Sequence, residues 1–69
     1  MTIKQIRAIT GLSQVKFGKM YGIPRRTIES WEADPDKPDY RPCPDYVRKL
    51  LERVVKEDFK YDENLTYLH

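Results

Sequence analysis

The first carboxylate in this chain is Glu29. Before it stand six basic side chains, Lys4, Arg7, Lys16, Lys19, Arg25 and Arg26, while the residues from 29 onward hold the other seven basic side chains and all eleven acidic ones. The formal net charge of +2 therefore hides a basic front and an acidic back. Ammonium and guanidinium groups gathered in this way can hold a polyanion, and the asymmetry points to such a partner at the N-terminal end. The plainer reading is a solvated basic surface, and charge alone does not choose between them. Covalent chemistry finds no support. No nucleophile has a plausible base beside it, no glycine-rich loop could cradle a phosphate, and no His/Cys/Asp/Glu spacing suits a metal. His69 is terminal and the only histidine, and Cys43 is most simply a small residue near a helix start. The expectation is a protein that is not an enzyme and uses no cofactor or metal.

With 69 residues the chain makes one small domain. A domain of this size buries only about 60% of its unfolded surface, so dimerisation is expected to add to a thin core. A single cysteine excludes an intrachain disulfide and fits a reducing cytoplasm. No apolar run is long enough for a signal peptide or a membrane span, so a cytoplasmic protein without membrane contact is expected. Charged residues make up 35% of the sequence, which fits a soluble protein.

Four helices are legible from caps and spacing. Thr2 with Gln5 three residues later forms a capping box for a helix from Ile3 to Thr10, flanked by the staple Met1–Ile6 and stopped at Gly11. Ser13 caps a second helix, Gln14 to Tyr21, with Leu12 and Phe17 at the staple positions and Gly22 as its stop. Gly18 lies inside this helix. A glycine there costs about 1 kcal/mol relative to alanine, and a closely packed neighbouring helix is a reason to accept that cost. A third helix runs from Arg25 to Ala33, with Pro24 at its first turn and Asp34-Pro35 closing it. A proline-rich loop over 34–44 carries Lys37 and Arg41. The fourth helix runs from Pro44 to Glu57 with a wide apolar stripe, Tyr46, Val47, Leu50, Leu51, Val54 and Val55. The stripe is expected to be core on one side and to share a dimer interface through Tyr46, Leu50 and Val54, joined by Phe59 and Tyr61. The domain is thus residues 1–57, with a tail over 58–69 that could be a strand, a dimerisation arm or disordered.

Helices two and three are separated by Gly22-Ile23-Pro24, the length of connection that sets two helices at a steep angle in a helix-turn-helix. Phe17, Gly18, Tyr21, Ile23, Ile28 and Trp31 point inward. The stretch TGLSQVKFGKMYGIPRRTIESWE, Thr10 to Glu32, resembles the Cro/repressor-like, or XRE-like, helix-turn-helix proteins. It has the Gly-Leu-Ser-Gln start, the aromatic three residues later, the small residue after it, the glycine closing helix two, and Thr-Ile and Trp-Glu in helix three. The chain departs from the family pattern at Gly18, where alanine is usual, and at Pro24, where a Ser or Thr usually caps the recognition helix. The resemblance implies an all-α, compact four-helix, lambda-repressor-like domain, with room for a fifth element, and a short C-terminal tail.

The resemblance also implies roles. Gln14, and with it Lys16, would hold a phosphate at the start of helix two. Arg25 and Arg26 would meet base edges in the major groove of double-stranded DNA, where an arginine can take both acceptors of a guanine. Thr27 and Ser30 would take a phosphate or a base edge. Glu29 would accept from a cytosine amino group or orient an arginine on its own helix. Lys37 and Arg41 would touch the DNA backbone. Arg7 and Glu32 would form an internal ion pair between the first and third helices. The function implied is a dimeric repressor on an inverted repeat, autoregulating its operon. The block Tyr40-Arg41-Pro42-Cys43-Pro44 is similar to that of small regulators encoded beside anti-CRISPR genes. Two rivals stay open: an antitoxin that binds DNA and masks a toxin, and a protein-interaction module that has lost DNA.

Overall fold

The computed structural model describes residues 1–61. Among these the chain forms four helices and no strand: α1 (Ile3–Thr10), α2 (Gln14–Tyr21), α3 (Arg25–Glu32) and α4 (Asp45–Asp58). Residues 62–69, which include Leu65, Tyr67, Leu68 and His69 of the expected tail, lie outside the described residues. The protein is all-α, with α2 and α3 joined in a helix-turn-helix. No described helix is long and apolar enough to cross a membrane.

The ends of α1 and α2 follow from side chains that satisfy orphan backbone groups. The Gln5 amide donates to Thr2 Oγ1 while the Thr2 amide donates to Gln5 Oε1, which completes the capping box. The Lys16 amide donates to Ser13 Oγ. Gly11 and Gly22 take the left-handed conformation that terminates each helix, at φ 70° and 69°. α3 is one residue shorter than expected: Ala33 is extended, ahead of Asp34-Pro35. Its start also differs, because Pro24 is the cap residue itself and its carbonyl takes the amides of both Thr27 and Ile28. α4 likewise begins after Pro44 and runs one residue past the expected end, to Asp58.

The core is Ile3 and Ile6 from α1, Phe17 from α2, Ile28 from α3, and Leu51 and Val55 from α4, ringed by half-buried side chains that include Tyr21, Ile23, Trp31, Val47 and Phe59. α1 is the central element, packing on α2, α3 and α4, and α2 packs on α3. Phe59, expected from the sequence to join a dimer interface, is half-buried against this core. The folded body therefore extends beyond residue 57.

Phe59 follows Val55 by four residues on the buried side of α4, and the backbone turns only after it. The Lys60 amide donates to the Glu57 carbonyl at 3.2 Å and the Tyr61 amide to the Lys56 carbonyl at 2.8 Å. That pair of bonds is a Schellman motif, and it turns the backbone sharply just after Phe59. Its left-handed position is held by Lys60 at φ 52° rather than by a glycine.

Candidate nucleic-acid interface

The position of α3 is set by three constraints, and the first is the turn. The Ile23 amide donates to the Gly18 carbonyl at 2.9 Å, folding the chain tightly against α2. A Cβ at position 18 would lie 2.4 Å from the Ile23 carbonyl oxygen and 3.1 Å from Ile28 Cδ1. Glycine is required there by backbone proximity to the turn, with the tip of Ile28 as a second neighbour. The close approach expected from the sequence was of helix three as a whole.

The second constraint is a polar junction at the far end of α3. Arg7 Nε donates to Glu32 Oε2 at 2.7 Å and Arg7 Nη2 to Glu32 Oε1 at 2.8 Å, a two-pronged pair. Arg7 Nη1 reaches the Leu12 carbonyl at 2.9 Å, and Gln14 Nε2 donates to Glu32 Oε1 at 3.2 Å. One carboxylate thus ties α1, α2 and α3 together, and only 4% of its side chain is exposed. Burial pushes the Glu32 carboxyl up, but the hydrogen bonds from Arg7 and Gln14, with the charges of Arg7 and Lys4, outweigh it and hold the group below its ordinary value. The same hydrogen bond from Arg7, against the cost of burial, raises the guanidinium further.

The third constraint is the return of the proline-rich loop. The Arg41 amide donates to the Ser30 carbonyl at 3.1 Å, satisfying an acceptor in the last turn of α3.

These constraints leave an outer face on α3. Arg25, Arg26 and Glu29 are exposed, while Thr27 and Ser30 are half-buried along its margin. Arg25 Nε lies 3.8 Å from Glu29 Oε1, one turn on, with both side chains more than half exposed. A pair so open to water contributes little to stability and leaves the guanidinium able to exchange partners. No side chain caps α3, so its first amides, on Arg25 and Arg26, have no intrahelical acceptor. Lys16 on α2 and Lys37 in the loop are exposed as well.

Two residues expected on this face are engaged elsewhere. Arg41 Nη1 donates to the carbonyls of Pro38 and Tyr40, at 3.0 and 2.7 Å, so its guanidinium is folded onto its own loop. Gln14 spends one amide hydrogen on Glu32. A further link was not legible in the sequence at all: Tyr21 Oη donates to Asp58 Oδ2 at 3.0 Å, joining the end of α2 to the end of α4. Burial first, and the bond to Asp58 second, push the Tyr21 hydroxyl up to about 12. Of the residues expected to dimerise, Tyr46, Leu50, Val54 and Tyr61 are exposed, and Tyr61 has the Lys56 ammonium 5.7 Å from its ring centre.

Among the described residues no group of three or more His, Cys, Asp or Glu could hold a metal ion. No protein-family model matches the chain, and no curated protein or solved structure matches it either.

Proposed function

We propose that this domain is a sequence-specific DNA-binding regulator of transcription, of the Cro/repressor-like kind, that inserts α3 into the major groove. The observation that carries the reading is the start of α3. Two exposed arginines, Arg25 and Arg26, stand on the first turn of a helix with no capping side chain. The positive end of the helix dipole and its unsatisfied amides suit a phosphate, and the two guanidinium groups suit guanine edges. Exposed Lys16 and Lys37 add sequence-independent attraction to the DNA backbone. Two copies would cover an inverted repeat with half-sites about one helical turn apart, which makes repression of the protein's own operon the natural outcome. The Arg7–Glu32–Gln14 junction supports the reading because it fixes α3 rigidly without using its outer face.

The test is a fluorescence anisotropy titration against duplex DNA from upstream of the protein's own gene and against a shuffled duplex. Both are measured at several salt concentrations. The upstream duplex should bind at least about a thousandfold more tightly, and log K should fall with log salt by about 0.9 for each phosphate contacted. Arg25→Ala and Arg26→Ala should each remove about 1–3 kcal/mol of discrimination while the melting temperature stays put. Equal affinity for both duplexes, or affinity indifferent to salt, sinks the proposal.

A further inference from the structure

Four segments meet at a cleft of about 470 Å³: the start of α1, the end of α3, the proline-rich loop and the start of α4. Small-molecule sites commonly measure about 300–1,000 Å³. None of the side chains proposed above to meet DNA lines this cleft. Its lining is rich in flat apolar surfaces. Trp31 and Tyr40 contribute to it, both only half-buried, together with Pro35 and Pro42. Two aromatic side chains that keep part of their surface open to a concavity suit a flat ring, which can stack or pack edge-on against them.

Charge narrows the class. The charged residues that line the cleft are Lys4, Glu32, Asp45 and Arg48. Glu32 is held by Arg7 and Gln14. Arg48 Nη1 donates to the Met1 carbonyl at 3.0 Å, and Arg48 Nη2 lies 3.6 Å from Asp45 Oδ1. Lys4 makes no hydrogen bond or ion pair with a described residue, although its charge acts on Glu32. The lining therefore offers one uncommitted cation beside two carboxylates. A single negative charge is matched there, whereas a doubly charged phosphate would meet more repulsion than attraction.

We propose that this cleft binds a small planar aromatic carboxylate, with its ring against Trp31 and Tyr40 and its carboxylate on Lys4. Occupancy has a structural consequence. Tyr40 and Pro42 flank Arg41, whose amide donates to the Ser30 carbonyl of α3. A ligand that needs Tyr40 and Pro42 in place binds only the closed loop, so it steadies the bond that ties the loop to α3. The site goes beyond the DNA-binding reading and does not depend on it.

Isothermal titration calorimetry of the full chain without DNA tests the site, with indole-3-acetate as the probe. Its Kd should lie below about 1 mM. Tryptamine carries the same ring on a cation, and acetate carries the charge without a ring. Both should bind at least about tenfold more weakly. Lys4→Gln should weaken indole-3-acetate about tenfold and erase its advantage over tryptamine. Lys4 is exposed on α1, and circular dichroism melting checks that this variant stays folded. In NMR spectra the shifts caused by the probe should gather at Trp31, Ala33 and Cys43. Hydrogen exchange of the Arg41 amide should slow about tenfold when the probe is at ten times its Kd. No binding at about 5 mM, or equal affinity for tryptamine or acetate, overturns the proposal. So do shifts centred on Leu50 and Val54 instead, or Arg41 exchange indifferent to the probe.

Discussion

The two halves of this domain solve opposite problems. In the α1–α3 half a charged pair is taken inside: Glu32 is almost fully covered and answered by three donors from two other side chains. In the α4 half an apolar row is left outside, with Leu50 more than half exposed. In the first half α1 and α2 have side-chain caps and left-handed glycines at their ends, whereas α4, like α3, starts at a proline with no side-chain cap, and a lysine occupies its left-handed turn. The difference separates a half closed on its own polar junction from one that leaves an apolar face to solvent. The half that positions α3 is specified internally, down to a single carboxylate. The half that carries α4 is packed on the side that faces α1 and joined to α2 by the Tyr21–Asp58 bond, and its other side is open to solvent.

The largest blow to this contrast is Glu32→Ala. It leaves the Arg7 guanidinium without its two-pronged partner and frees the Gln14 amide, and should cost about 2–4 kcal/mol. For a domain of this size that is a fall of more than about 10 °C in melting temperature. A loss within the range of an ordinary surface substitution would mean that the junction does not hold α3. Next comes Gly18→Ala. Alanine favours helix by about 1 kcal/mol over glycine, yet its Cβ would meet the Ile23 carbonyl, so urea denaturation should show a net loss of about 1–3 kcal/mol. A gain would show that the turn relaxes freely.

Acid titration separates the halves more gently. Glu32 is held below its ordinary 4.5, so its contribution is fully present above that value. It is lost as the pH falls through the lower, folded-state value. Thermal melting from neutral pH to about pH 2 should therefore fall off less steeply in Glu32→Gln than in the parent; parallel curves would assign the acid sensitivity elsewhere. The smallest effect has the opposite sign. Lys60→Gly relieves a non-glycine residue at φ 52°, and should raise stability by about 0.5–1 kcal/mol after glycine's greater freedom in the unfolded chain is set against it.

The parts of this fold that were legible in the sequence are those governed by neighbours along the chain. Thr2, Gly11, Ser13 and Gly22 set the ends of α1 and α2 to the residue, because each cap is a local hydrogen-bond or backbone requirement. Proline is a weaker guide, since Pro24 and Pro44 suit either a cap or a first turn, and both prove to be caps. The stripe on α4 was readable as apolar but not as divided. α1 is an eight-residue helix, too narrow to cover six side chains, so Leu51 and Val55 go in while Tyr46, Leu50 and Val54 stay out. Phe59 was not read as part of the packed body because ending the helix at Glu57 hid its phase, four residues after Val55 on the row that begins at Leu51. At the candidate interface the exposure of Arg25 and Arg26 follows from helix phase. The retraction of Arg41 onto Pro38 and Tyr40 depends on the path of a proline-rich loop, and the Tyr21–Asp58 bond spans 37 positions; neither has a local signal.

The tight contact between Gly18 and the Ile23 carbonyl bears on how freely the turn and α3 could vary. Replacing α3 alone, with a turn that carries its carbonyl elsewhere, would leave an empty notch above Gly18. An alanine at position 18 would block the present turn. Residues 18 to 24 therefore constrain one another, because the side chain allowed at position 18 depends on where the turn places the Ile23 carbonyl. Under the proposed reading, new DNA specificities should be reached most easily through the outward positions Arg25, Arg26 and Glu29, with the turn kept as it is.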